Sequence, residues 1–145
     1  MRVAPKDSYS VLLADDSDTD RLLLRLALLR HPRLTIVGEV QDGLEVIHYL
    51  SATGRFKNRK KYPFPDLLLL DLKMPLQTGH EVLAWLRDNS FKNLQIAVVS
   101  GSVMSEDLCQ SLALKADAFF VKSADRRERE AMVCDIERLL DRASQ

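Results

Sequence analysis

Strand-like and helix-like periods alternate five times along this chain. Aliphatic or β-branched runs fall at Tyr9 to Ala14, Leu34 to Val40, Leu67 to Leu70, Leu94 to Val99 and Ala118 to Val121, each bounded by turn formers. Short apolar runs so punctuated read as strands. Between and after them, apolar residues recur at helical spacing near residues 18 to 30, 43 to 52, 79 to 89, 104 to 115 and 125 to 142. The first helix shows Leu22, Leu26 and Leu29 at i, i+4 and i+7, and the last shows Met132, Val133, Ile136, Leu139 and Leu140; both patterns predict core-facing stripes. Strict alternation with short connections predicts an α/β fold, a doubly wound five-stranded parallel sheet with helices on both faces.

Four of the strands stop at residues that handle phosphate or metal. VLLA precedes Asp15 and Asp16, LLLL precedes Asp71, IAVV precedes Ser100, and FFV precedes Lys122. In open α/β sheets ligands bind beyond the carboxyl ends of the strands, where the strand order reverses. With strand order 2-1-3-4-5 the first and third strands are neighbours, so the three carboxylates share one crevice. A pair of such charges 4 Å apart repels by about 4 kcal/mol at an effective dielectric of 20, and a divalent cation is the obvious relief. All-oxygen ligation with retained waters suits Mg²⁺. Asp71, leaving the most apolar strand, is the candidate nucleophile, since carboxylates form covalent aspartyl-phosphates. Lys122 and the Ser100 hydroxyl would bind phosphoryl oxygens, and positioning with charge stabilisation is most of what phosphoryl transfer requires. The three histidines, His31, His48 and His80, are scattered and form no zinc set.

Composition narrows the setting. The 145 residues are 46% apolar and 29% charged, enough for one cored domain, expected over residues 8 to 142, with no separate output domain. Net charge is zero, so a general pull toward nucleic acid or anionic membrane is not expected. Cys109 and Cys134 fall in predicted helices without a CxxC spacing, and the N-terminal MRVAPKDS has no apolar signal core. No stretch approaches about 18 apolar residues. The expectation is a cytoplasmic protein that neither crosses a membrane nor binds nucleic acid directly.

One connection breaks the rhythm. Residues 54 to 65, GRFKNRKKYPFP, carry five basic side chains and no acid, interleaved with Phe56, Tyr62 and Phe64. A solvated loop is one reading; a docking patch for an acidic partner or nucleic acid is the other. Leading into a strand, the segment should lie at the amino ends of the sheet, away from the crevice.

Other chemistries fit less well. Asp16, Asp18 and Asp20 have the spacing of a calcium loop, but Arg21 and Ala27 stand where it needs Gly and Glu; Asp18 is better placed as a helix N-cap. No GxxxxGK[ST] occurs. A phosphohydrolase of the haloacid dehalogenase type shares the strand-end Asp, hydroxyl and lysine, but its second acidic pair is missing, with only Asp125 near Lys122.

Five features in order carry a family resemblance: the pair Asp15-Asp16, the DLKMP at 71 to 75, Gly79 beyond it, Ser100-Gly101 after IAVV, and ADAFFVK ending at Lys122. Together they resemble the receiver domain of two-component response regulators, a flavodoxin-like (βα)5 fold. HEVLAWLR after Gly79 and the basic insertion further resemble single-domain receivers associated with phytochrome-type kinases. The resemblance implies that Asp71 accepts a phosphoryl group from a sensor histidine kinase, that Asp16 and Asp71 ligate Mg²⁺ with the backbone carbonyl of Lys73, and that Asp15 acts largely through waters. It implies a switch in which Ser100 moves toward the phosphoryl group and Phe119 turns inward, changing the surface of the helix near 104 to 115, the last strand and the last helix. A downstream target or phosphotransfer protein would read that surface, and a homodimer is left open. The chain departs from the family at Ser123, where a proline in a cis peptide is usual. A cis bond costs about 3 kcal/mol without proline, so a trans Lys122-Ser123 peptide is expected. It also carries Phe119 where a hydroxyl-bearing Tyr is an alternative. A receiver that binds partners without phosphorylation remains the other reading.

Overall fold

The computed structural model describes residues 7–101, 114 and 116–144. Its elements are β1 (Tyr9–Ala14), α1 (Asp18–Leu29), β2 (Leu34–Val40), α2 (Gly43–Ser51), a 3₁₀ turn (Gly54–Phe56), β3 (Leu67–Leu70), α3 (Gly79–Asp88), β4 (Gln95–Ser100), β5 (Ala118–Val121) and α4 (Arg126–Ala143). The five strands are parallel in the order β2-β1-β3-β4-β5, as the alternation predicts. The helix expected near 104 to 115, with Cys109, lies outside the described residues; Cys134 is exposed on α4.

Strand periodicity divides the core into two layers. Val11, Leu13, Leu67, Leu69, Ala97 and Val99 face α1 and α4, packing on Leu24, Leu28, Val133 and Ile136. Leu12, Ala14, Leu68, Leu70 and Val98 face α2 and α3, packing on Val46, Tyr49, Val82 and Leu83. β3 is central, so all four of its leucines are buried; burying each stabilises the fold by about 2 kcal/mol. This central, fully buried strand carries Asp71 at its end.

On α1 the expected stripe is reversed. Leu22, Leu26 and Leu29 are 44%, 51% and 70% exposed, while Arg21, Leu24, Ala27 and Leu28 are buried. The helix carries leucine around most of its circumference, so a helical repeat can be drawn on either side. The choice falls to the direction in which the chain leaves β1. The N-cap is also one residue earlier than expected: Ser17 Oγ accepts from the Asp20 N–H at 3.2 Å, and Asp18 is the first helical residue, paired with Arg21.

The basic connection is ordered, not merely solvated. Phe56 is buried, its ring 5.0 Å from Tyr49 and 5.1 Å from Tyr62. Arg59 donates to the carbonyls of Tyr49 (2.8 Å) and Leu50 (2.9 Å), satisfying the carboxyl end of α2. Arg55 pairs with Glu45 at 2.9 Å, leaving Lys57, Lys60 and Lys61 as the exposed lysines of the segment. It returns to the sheet where Asp66 N–H donates to Ser10 O at 2.9 Å, at the amino ends, opposite the crevice.

Candidate functional site at the carboxyl ends of the strands

Ala14 pairs with Leu70 in the β1–β3 register, so the residues after them emerge side by side. The Asp71 N–H donates to Ala14 O (2.9 Å) and the Asp15 N–H to Val40 O (3.1 Å), which extends the ladder one step and fixes both backbones. Asp15 and Asp71 are buried and Asp16 is exposed, yet one oxygen of each lies within 4.8 Å of the others. Burial of acids is costly without partners, and each has them. The Ser17 N–H donates to Asp15 Oδ1 at 2.9 Å and the Lys73 N–H to Asp71 Oδ1 at 3.2 Å. Buried Arg21 donates to the Asp15 carbonyl at 2.6 Å while its Nε stands 3.4 Å from Glu39, tying the acidic turn to the end of β2.

Lys122 enters from the far side of the sheet. Its N–H donates to Ser100 O at 2.7 Å, joining the ends of β4 and β5, and Ser100 itself is fully buried. The ammonium lies 2.7 Å from Asp15 Oδ2, 2.8 Å from Asp20 Oδ2 and 3.4 Å from Asp71 Oδ2. Burial pushes Asp71 up from 3.8 to about 6; Lys122 opposes this and Asp15 adds to it. Burial works against the charge on Lys122 too, but the Asp15 and Asp20 carboxylates beside the ammonium hold it above the ordinary lysine value. The Lys122-Ser123 peptide is trans, as no cis bond occurs among the described residues. Ser123 accepts at its hydroxyl from the Asp125 N–H (3.0 Å) and at its carbonyl from Arg129 (2.9 Å), which holds the turn without proline. Phe119 is partly buried on the α2/α3 side of the sheet.

The geometry thus brings Asp15, Asp16, Asp71 and Lys122 together with Ser100 beside them. The sequence reading missed Asp20, which it weighed only as part of a calcium loop. The available signal was its place in the first turn of a helix that opens at the crevice mouth. Two glycines permit the close packing here: a Cβ on Gly79 would sit 2.4 Å from Asp71 O, and one on Gly43 would sit 2.0 Å from Gln77 O. An open depression of about 510 Å³ lined by Asp16, Lys73, Met74 and Thr78 leads to the cluster.

The cluster consists of hard oxygen donors, and Asp15 Oδ2 has no well-directed hydrogen bond despite the nearby ammonium. That donor set fits a divalent cation.

A doubly wound sheet with an acidic cluster and a lysine at its reversal point defines a receiver-type module. Residues 11–133 match the model of the response regulator receiver domain, and the chain belongs to that family. It is 30% identical over 132 residues to response regulator Rcp1 of Synechocystis, covering 88% of this chain and 85% of that protein. The phosphorylated cyanobacterial phytochrome response regulator RcpA superposes with a TM-score of 0.80 at 30% identity, covering 92% of this chain and 94% of RcpA. A Mn²⁺-bound form of Rcp1 superposes with a TM-score of 0.77, covering 89% and 91%. The chain is also 32% identical over 120 residues to the nitrate/nitrite response regulator NarL of Escherichia coli, covering 83% of this chain and 50% of NarL. Receiver domains take phosphate from sensor histidine kinases. No helix among the described residues is long and apolar enough to cross a membrane.

Proposed function

We propose that this protein is a phosphorylation-driven response regulator in which Asp71 accepts a phosphoryl group from a phosphohistidine on a sensor histidine kinase. The observation that carries this reading is the buried Asp71 carboxylate with two further carboxylates within 4.8 Å and the Lys122 ammonium 3.4 Å away. An Asp71 oxygen would form the new P–O bond as the P–N bond of the donor breaks, and the donor imidazole, already protonated at its other ring nitrogen, would leave with the P–N electron pair as a neutral ring. Asp15, Asp16, Asp71 and the Lys73 carbonyl would hold Mg²⁺. When bound, that ion supplies positive charge to the carboxylates and the phosphoryl oxygens. Lys122 would meet one phosphoryl oxygen and Ser100 would donate to another.

The added charge would then bias a two-state change in which Ser100 shifts and Phe119 turns inward, altering the β4–β5 side for a downstream target or phosphotransfer protein. Similarity to Rcp1 and RcpA supports a phytochrome-type kinase as the donor. The protein would act in the cytoplasm, as a phosphoacceptor that promotes only its own phosphorylation and dephosphorylation. Label uptake from acetyl phosphate should require both Mg²⁺ and Asp71; Asp71→Asn taking up label at the wild-type rate would overturn the reading.

A further inference from the structure

The Lys122 ammonium stands closer to Asp15 and Asp20 than to Asp71 (2.7 and 2.8 Å against 3.4 Å). Asp15 has the cluster to serve as well. Asp20 is not among the three clustered carboxylates, and the hydrogen bond its side chain makes is to this ammonium. The pair lines a small cavity of about 30 Å³ shared with Leu24 and Met132 and with the charged Glu128 and Arg129. With Lys122 half-buried and Asp20 at its mouth, the charge pair is partly shielded from water and so stronger than in open solvent. α1 is capped by Ser17 through the Asp20 N–H, so the carboxylate projects from a fixed turn.

We propose that Asp20 is a positioning residue for Lys122: it holds the ammonium back from Asp71 in the unmodified protein and yields it to the phosphoryl group on activation. This rests on the reading of Asp71 as phosphoacceptor. A lysine has a flexible stem and a point charge, so the division of the ammonium among three carboxylates is set by their relative charge. Adding negative charge at Asp71 draws it across; Asp20 opposes that draw. The carboxylate therefore raises the threshold for activation, and while it detains the ammonium it leaves the three clustered acids freer to take a cation.

Two affinities separate this role from a merely structural one. Asp20→Asn keeps the shape and removes the charge. At saturating Mg²⁺, beryllofluoride binding followed by ¹⁹F NMR should tighten by about three- to ten-fold in the variant, the range a partly exposed charge pair allows. Mg²⁺ affinity without beryllofluoride, measured by calorimetry, should weaken, because the released ammonium now competes with the ion. Asp20→Ala should move both affinities in the same directions, and Asp20→Glu should return both toward wild type. General loosening of the site would weaken both affinities and would overturn the proposal, as would unchanged beryllofluoride binding in Asp20→Asn. Failure of the wild-type protein to bind beryllofluoride would overturn the phosphoacceptor reading and this proposal with it.

Discussion

Replacing Asp71 with Asn should stabilise the metal-free protein at neutral pH and not in acid. In the folded chain burial raises the Asp71 carboxyl from 3.8 to about 6; unfolded, it titrates near 3.9. Between those values the folded state keeps a proton that the unfolded chain has lost. Stability therefore falls as pH rises from about 4 to about 6, and stays lower above that. A difference of this size corresponds to about 3 kcal/mol as a ceiling. The attraction of the Lys122 ammonium, 3.4 Å away, is already contained in that value, since it lowers the Asp71 carboxyl; relaxation of the amide in a site built for a carboxylate takes back part of the ceiling. The net expectation is a gain of about 1 to 2 kcal/mol at pH 7.5 and none near pH 4. Urea unfolding in EDTA, run on both proteins from pH 4 to 8, reads it as a difference that cancels all titrations they share. Added Mg²⁺ should erase the advantage, since it stabilises only the intact cluster. A difference that does not change with pH, or a lower midpoint for Asp71→Asn at pH 7.5, would refute the argument that Asp71 is a crowded, buried acid.

Arg59→Ala should lower stability by about 2 kcal/mol, because two carbonyls at the end of α2 lose their donor. Lys57→Ser, Lys60→Ser and Lys61→Ser together should change the urea midpoint little and label uptake from acetyl phosphate not at all, while slowing transfer from the cognate kinase in a salt-dependent way; equal costs for both sets would remove the distinction. Leu28→Ala, at a site 1% exposed, should cost about 3 kcal/mol, and Leu26→Ser, at 51%, under 1 kcal/mol, a contrast that thermal unfolding would reveal or refute. Gly79→Ala must displace Asp71 O from 2.4 Å, so it should both destabilise the fold and slow label uptake; wild-type behaviour in both would show the packing to be looser than described.

The parts legible in the sequence are those set by chain-local patterns with a single solution. Four consecutive leucines between turn formers, ending in an acid and set in a strict β-α alternation, read as a buried strand with a charge at its mouth, and the strand order then places Asp71 beside Asp15. β4 moved by one residue, since Ser100 completes its last pairing with Val121. What was not legible depends on choices among equivalents. Six leucines on α1 offered two faces, and the tertiary entry angle picked the one centred on Leu24 and Leu28. Five basic residues between 54 and 65 looked alike, but Arg59 alone of them has the planar donors and position to close α2, so it left the solvated set. Asp20 fell outside the site because its partner, Lys122, is 102 residues away along the chain. Ser17 and Asp18 are both good caps by type, and only the backbone distinguishes them.

The nine residues of α2 form a strut about 13 Å long that is blocked at both ends. Its first residue, Gly43, is seated against the loop that follows Asp71, and its last carbonyls are gripped by Arg59 over a plug of three aromatic rings. A rod so braced cannot slide along its axis without breaking one of the two seats, so this flank of the molecule resists displacement. Under the proposed phosphorylation, strain from a new group on Asp71 would relax toward the opposite flank, where the Lys122 N–H donates to Ser100 O between the last two strand ends. The stiffness of one side would thereby give the other its direction of travel.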